Sequence, residues 1–156
     1  MIWGCMSWYG AGGMQQVNGI MDSDQLVSIF ADNLLPTLDQ VTSGLGLSAR
    51  SQVIFQQDND TKHKSVKTRA WLASNNLKTL KWPSQSPDLN PIEHLWGQVK
   101  RQLGAYPANS KEMIELWERV DYIWSNIDVE LCQSLILSMP SRVEAVLKAK
   151  GGPTKF

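Results

Sequence analysis

Asp58 and Glu93, with 34 residues between them, are the side chains whose type and setting could do chemistry. Asp58 closes the apolar run Val53-Ile54-Phe55-Gln56-Gln57, and Glu93 falls in the opening turn of a helix. A carboxylate at a strand end and another at a helix start suggest two metal ligands meeting across a sheet and a helix. Hard divalent cations such as Mg²⁺ are held by one or two carboxylates together with substrate phosphates, so the chemistry suggested is metal-dependent phosphoryl transfer. No third carboxylate occupies the upstream place that such a site would want. Each residue also has a plainer reading. An Asp after a strand, as in Asp58-Asn59-Asp60-Thr61, is a common turn and capping choice, with Asp60 as the cap of the helix that follows. Asn90 is a good N-cap, Pro91 suits the first helical position, and Glu93 could reach back to the cap's backbone amide. The pair is harder to explain this way than either residue alone, because both carboxylates lie at element ends with basic residues around them.

Charge is unevenly spread along a chain of zero net charge. Residues 1–49 contain no Lys or Arg and carry −4, residues 50–101 carry +5, and the remainder carries −1. The positive excess surrounds the candidate ligands, with Lys62, Lys64, Lys67 and Arg69 on one side and Lys100 and Arg101 on the other. Phosphate neutralisation is one explanation, and a solvated helix face is the other.

The elements that must position these residues alternate, with short turns between them. At 156 residues the chain fits one domain, long enough to bury about 70% of its unfolded surface. Seven Trp are the outlier in an otherwise ordinary composition. No apolar stretch approaches the roughly 20 residues of a membrane span, the N-terminus does not read as a signal peptide, and Cys5 and Cys132 lack metal spacing, which favours a reducing compartment. The pattern predicts a strand over residues 1–9, a turn at Gly10-Ala11-Gly12-Gly13 and a weaker strand over 15–21. A helix starts at Asp22-Ser23-Asp24 and bends or breaks at Pro36, and a loop covers 43–51. A buried strand is expected over 53–57, a helix over 62–75 with Val66, Ala70 and Ala73 on its packed face, and a strand over 77–82. The loop Pro83-Ser84-Gln85-Ser86-Pro87 leads to a helix whose stripe is Ile92, Leu95, Trp96, Val99 and Leu103, closed by Gly104. Ser110 caps a further helix with Met113, Trp117, Val120 and Trp124 at helical spacing, and residues 129–148 are helical with an interruption at Pro140, packing Leu131, Leu135, Val143, Val146 and Leu147.

The segments Phe55-Gln56-Gln57-Asp58-Asn59-Asp60-Thr61-Lys62-His63 and Trp82-Pro83-Ser84-Gln85-Ser86-Pro87-Asp88-Leu89-Asn90-Pro91-Ile92-Glu93-His94-Leu95-Trp96 closely resemble the second and third acidic motifs of Tc/mariner-type DDE transposases. The start, Trp3-Gly4-Cys5-Met6-Ser7-Trp8-Tyr9-Gly10, and the end, from Ser138-Met139-Pro140-Ser141-Arg142 to Phe156, are also similar to that family, and the interval of 34 residues matches its Asp-Glu branch. Thr61 stands where the family usually has Pro.

The resemblance implies an α/β, ribonuclease H-like mixed sheet with flanking helices, followed by C-terminal helices. Residues 1–104 would form the ribonuclease H-like core and 105–156 the C-terminal helices. Two Asp and one Glu would hold two divalent ions, Mg²⁺ or Mn²⁺, with Asp58 as second ligand and Glu93 as third, and with Asn59, His63 and Asn90 in supporting places. Two metals about 3.5–4 Å apart activate water for strand cleavage and stabilise attacking and leaving oxygens when a 3′-hydroxyl attacks target DNA. The partners implied are transposon ends and TA target sites, with no membrane, and a homodimer is compatible with them. In a eukaryote the location would be the nucleus. The family's first catalytic Asp lies on a central strand upstream of the segment resembling residues 3–10, and the family's helix-turn-helix region lies further upstream. The expectation is therefore a core lacking its first strand that does not transpose alone, since Asp22 and Asp24 open a helix and do not take the missing role. Two other readings stay open. One is a non-catalytic nucleic-acid-binding or assembly module derived from a transposable element, and the other is a plain interaction domain.

Overall fold

The computed structural model describes residues 1–83 and 86–156, so Ser84 and Gln85 of the third motif's loop lie outside the described residues. The chain forms two compact units, Met1–Cys5 with Gly12–Ser86 and Met6–Ala11 with Pro87–Phe156.

The first unit is built on strands and an interrupted helix. β1 (Ile2–Ser7) and β2 (Gly10–Gln16) pair as a two-stranded sheet. The second strand thus begins at Gly10, where a turn was expected, and the glycine run lies inside it. Packing explains why. A Cβ on Gly12 would stand 2.6 Å from Thr37 Cγ2, and one on Gly13 would stand 2.6 Å from Asn33 Cβ. Here the glycines let strand backbone approach a helix too closely for any side chain.

That helix is continuous in direction but not in hydrogen bonding. Asp22 caps α1 (Ser23–Ile29) through Oδ1, which accepts from the amides of Asp24 and Gln25 at 3.0 and 2.8 Å. A π-helical turn (Phe30–Leu34) links it to α2 (Leu35–Gly44). Pro36 has no N–H to continue the ladder, and the wider turn just before it sends the Leu35 amide to the Phe30 carbonyl. The expected break is therefore a register change rather than a stop. Leu26, Ile29 and Phe30 are 0% exposed, each stabilising the fold by about 1.5–3 kcal/mol through burial. Trp3, Phe55 and Trp71 pack their rings on Phe30 at centroid distances of 5.7, 5.7 and 5.8 Å.

β3 (Ile54–Phe55) and β4 (Lys78–Thr79) form a separate parallel pair, and no ladder joins them to β1 and β2 among the described residues. Two expected long strands are thus short. Residues 53–57 are not a buried strand, since Ile54 is 61% exposed. One neighbouring strand satisfies one edge only, so regular pairing ends after two residues. Leu80 is likewise exposed, and Trp82 half-buried. Between the strands, α3 (Val66–Ser74) starts at Ser65, whose hydroxyl accepts from the Thr68 amide at 3.0 Å. Its packed face carries Thr68 and Leu72, while Val66, Ala70 and Ala73 are exposed. The later cap shifts the helix start away from Asp60 and turns the opposite face inward.

The second unit is helical. A 3₁₀ turn (Pro87–Leu89) precedes α4 (Ile92–Gly104), and α5 (Met113–Ser125), α6 (Val129–Leu137) and α7 (Met139–Lys148) follow. Leu95 and Val99 are buried on α4, Trp96 stacks on Trp124 at 4.6 Å, and Cys132 and Leu135 are buried on α6. The cap before α5 falls at Glu112 rather than Ser110, and Met113 is exposed. Glu115 reaches back to accept from the Lys111 amide at 3.0 Å, tying the approach to α5 to its first turn, and the Glu112 side chain makes no cap hydrogen bond. Pro140 opens α7 as anticipated. The buried residue of α7, however, is Arg142, and Val143 and Leu147 are exposed. Among the described residues no helix is long and apolar enough to cross a membrane.

Candidate active site

Each unit carries one of the two candidate carboxylates. In the first, Asp58 follows β3 on a loop whose turns are made by its own polar side chains. Asp58 Oδ1 accepts from the Asp60 amide at 3.1 Å and lies 2.6 Å from Nδ1 of His63. An ionised carboxylate can only accept, so the shared proton sits on Nδ1 of the imidazole. The imidazole is itself held, with its side chain 14% exposed and its ring stacked over Phe30 at 6.4 Å. Oδ2 of Asp58 makes no hydrogen bond to the described residues, and the side chain is 62% exposed.

The neighbours of Asp58 anchor the loop. Asn59 donates from Nδ2 to the Trp82 carbonyl at 2.7 Å, tying the segment after β3 to the segment after β4. Asp60 Oδ1 accepts from the Lys62 amide at 2.9 Å, and this bond first, then the Lys62 ammonium, holds the Asp60 carboxyl below the usual aspartate value. Thr68 Oγ1 donates to the Lys62 carbonyl at 2.7 Å, fastening the turn to α3. Of the bases expected to meet phosphate, Lys62 pairs with Asp60 and Lys67 with Asp24, whereas Lys64 and Arg69 are exposed.

In the second unit Glu93 stands in the first turn of α4, exposed, and its carboxylate makes no hydrogen bond or ion pair with the described residues. The capping box expected of it is not formed. The Asn90 amide that it would have reached donates instead to the Pro87 carbonyl at 2.8 Å, while Asn90 Oδ1 accepts weakly from the Ile92 amide at 3.4 Å. Lys100 and Arg101 lie seven and eight residues on, hence on the same face of the helix as Glu93. Lys100 is exposed, and Arg101 donates to Gln98 Oε1 at 2.7 Å. Gly97 lies on that face too, and a Cβ there would meet nothing within 4 Å.

Beside Glu93 is a cluster that the sequence reading missed. Arg142 donates from Nη1 to the Asp88 carbonyl at 2.9 Å, from Nη2 to Nδ1 of His94 at 3.1 Å and from Nε to Ser138 Oγ at 2.8 Å. Loss of water lowers the guanidinium's pKa, against the pull of Asp88, but an arginine stays charged. Desolvation, then the charges of Arg142 and Arg101, push the His94 imidazole below its ordinary value against the pull of Glu93. Asp88 Oδ2 accepts from Thr154 Oγ1 and from the Thr154 amide, each at 2.7 Å, and these bonds hold its carboxyl below the ordinary range. The signal was present in the sequence: Leu135, Met139, Arg142 and Val146 keep helical spacing, so a base occupies an apolar stripe.

A strand pair leading to an exposed Asp and a helix leading to an exposed Glu, on an α/β scaffold, define a class. Residues 16–115 match the family model of the DDE superfamily endonucleases, and the chain belongs to that family. Within it, this is a transposase DDE domain of the Tc1/mariner type. It is 38% identical over 157 residues to the transposable element Tc1 transposase of Caenorhabditis elegans and 37% identical over 156 residues to the Tcb1 transposase of Caenorhabditis briggsae, each match covering 100% of this chain and 54% of the relative. The chain thus spans about half the length of these relatives. A solved structure of the Mos1 transposase catalytic domain with Raltegravir and Mg has a TM-score of 0.81 at 21% identity, covering 99% of this chain and 76% of that one. A pre-cleavage Mos1 transpososome gives 0.85 at 17% identity, covering 99% and 45%. The fold is accordingly ribonuclease H-like, as the motifs implied.

Proposed function

We propose that this chain supplies the second and third carboxylates, Asp58 and Glu93, of a metal-dependent nuclease and strand-transferase acting on DNA, and that it contributes to cut-and-paste transposition. The observation that carries the reading is the Glu93 carboxylate. It stands where a capping box would employ it and makes no hydrogen bond or ion pair with the described residues, and Oδ2 of Asp58 makes no hydrogen bond with them either. Hard oxygen donors of this kind fit Mg²⁺ or Mn²⁺, and related Mos1 structures were determined with both. A divalent ion bound there would polarise a phosphodiester and lower the pKa of an attacking water.

The chain's own residues do the rest. His63 donates a hydrogen bond from Nδ1 to Asp58 Oδ1 and so leaves Oδ2 for a ligand. Asn59 keeps the loop from folding back by holding the Trp82 carbonyl. Glu93 offers its charge at the start of α4, and Lys100 and Arg101, two turns along the same face, would meet phosphates on either side of the cleaved bond. DNA as the partner is supported by the relatives' names and by the Mos1 paired-end and strand-transfer complexes.

The test is nicking of supercoiled DNA in Mg²⁺ by this chain and by a version extended to the full length of the relatives. The longer protein should nick, and Asp58→Ala or Glu93→Ala should abolish nicking. Equal cleavage without those carboxylates would overturn the assignment. A second reading, a non-catalytic DNA-binding or assembly module, is favoured by the exposed bases Lys64, Arg69 and Lys100, which could meet phosphate whether or not a metal is bound. It predicts salt-sensitive DNA binding indifferent to metal and to Asp58.

A further inference from the structure

The first turn of α4 is held from outside the helix by one buried cation. Arg142 is 1% exposed, and a buried guanidinium is unfavourable unless its donors are satisfied. Two of its three acceptors bracket Glu93. The Asp88 carbonyl belongs to the turn that leads into α4, and His94 is the residue after Glu93. The guanidinium fork has fixed donor directions, so grasping both at once fixes the path of the backbone between them. The remaining face of Arg142 is covered by Phe156, whose ring centroid lies 4.8 Å from Cζ. Thr154, two residues earlier, places both its donors on Asp88 Oδ2. The C-terminal tail thus closes over the guanidinium and over the residue it grasps.

We propose that Arg142, closed in by residues 154–156, is a positioning residue that sets the direction of the first turn of α4 and thereby the aim of the Glu93 carboxylate. A residue placed only to fill space would be served by Leu or Met. Among the described residues the Glu93 side chain makes no hydrogen bond or ion pair, so its aim depends on its backbone. The clasp itself needs no assumption about function. Its consequence for metal rests on the reading of Glu93 as a ligand.

Amide hydrogen exchange and Mn²⁺ binding, followed by the electron paramagnetic resonance of free Mn²⁺, test the two parts on the same protein. In Arg142→Gln, exchange at the amides of residues 93–96 should rise about 10-fold or more, as for a locally opened segment, with Ile123 and Trp124 on α5 unchanged. Arg142→Lys should fail to restore protection, because an ammonium cannot span the acceptors. Thr154→Val, at the rim of the clasp, should show a smaller rise at the same amides, and with Asp88→Ala it carries the test if Arg142→Gln does not fold. A uniform rise through α4 to α7, or none at 93–96, would overturn the clasp. The Mn²⁺ concentration for half-saturation should rise about 10-fold in Arg142→Gln, in the range typical of residues that orient a ligand. If exchange rises while Mn²⁺ affinity stays, the positioning role is wrong. If the parent protein binds no Mn²⁺, the reading of Glu93 as ligand fails, and the exchange data still decide the clasp.

Discussion

Asp58 and Glu93 are chemically alike and held by opposite means. Asp58 sits on a loop after a two-residue strand, and its direction comes from bonds made by its own side chain and by neighbours within five residues, to the Asp60 amide and to His63. Glu93 sits on a regular helix with no side-chain bond among the described residues, and its direction comes from a guanidinium 49 residues further along the chain. Loop carboxylates need local hydrogen bonds because their backbone is not repetitive. A helical carboxylate can be aimed by fixing the helix. One consequence is that damage should spread differently: a change near Asp58 should act on the ligand alone, whereas a change in the clasp should act on a whole turn.

The most severe way to probe this contrast is to remove each ligand. Asp58→Asn and Glu93→Gln should each lower metal-dependent cleavage by more than the roughly 10–100-fold typical of outer-shell partners. Both residues are exposed, so urea midpoints should stay within about 0.5 kcal/mol of the parent. A large stability loss for Glu93→Gln would mean that the carboxylate has a structural partner. Arg142→Leu should next cost about 2 kcal/mol of stability, because it leaves three partly buried acceptors without their donor. A neutral result in urea unfolding would show that the clasp contributes nothing to stability.

His63→Ala should act more locally. It should raise the Mn²⁺ concentration for half-saturation about 10-fold and leave amide exchange at residues 93–96 unchanged, separating the two ligands' supports. Gly97→Ala should stabilise α4 by about 1 kcal/mol, since nothing crowds the added methyl. A lower Tm would place an unseen neighbour on that face.

The smallest effect is in pH. The Asp88 carboxyl is held below its ordinary value of 3.8 by the Thr154 hydroxyl and then by the Thr154 amide. A depressed carboxyl contributes stability that is fully present above the ordinary value and is lost as pH falls through the lower folded value. Thermal midpoints of the parent should therefore fall more on acidification below about pH 4 than those of Thr154→Val, and this interaction should add no slope between pH 5 and 7. Parallel curves would show that the tail contributes nothing through Asp88.

Legibility from sequence followed the same division. The helices of the second unit, the cap at Asp22 and the loop around Asp58 were readable because periodicity and short-range side-chain bonds govern them. The glycine run in β2 was misread as a turn, since its reason is a helix some 20 residues away in the chain. The strands at 53–57 and 77–82 were expected to be long, and the first to be buried, because apolar runs do not reveal how many neighbours a strand has. The packed face of α3 was inverted because Thr68, held by Ser65 and the Lys62 carbonyl, took the inward position that Val66 was expected to take. Arg142 was hidden because an arginine in an apolar stripe declares its role only when its acceptors, Asp88 and His94, are in place.

The most direct measurement is a crystal structure of the protein with Mn²⁺, using anomalous scattering to locate the ion. Expected is anomalous density at the Asp58 carboxylate and at the Glu93 carboxylate, each with an oxygen about 2 Å from an ion. No ion at either carboxylate, or ions only at other residues, would contradict the assignment of Asp58 and Glu93 as metal ligands.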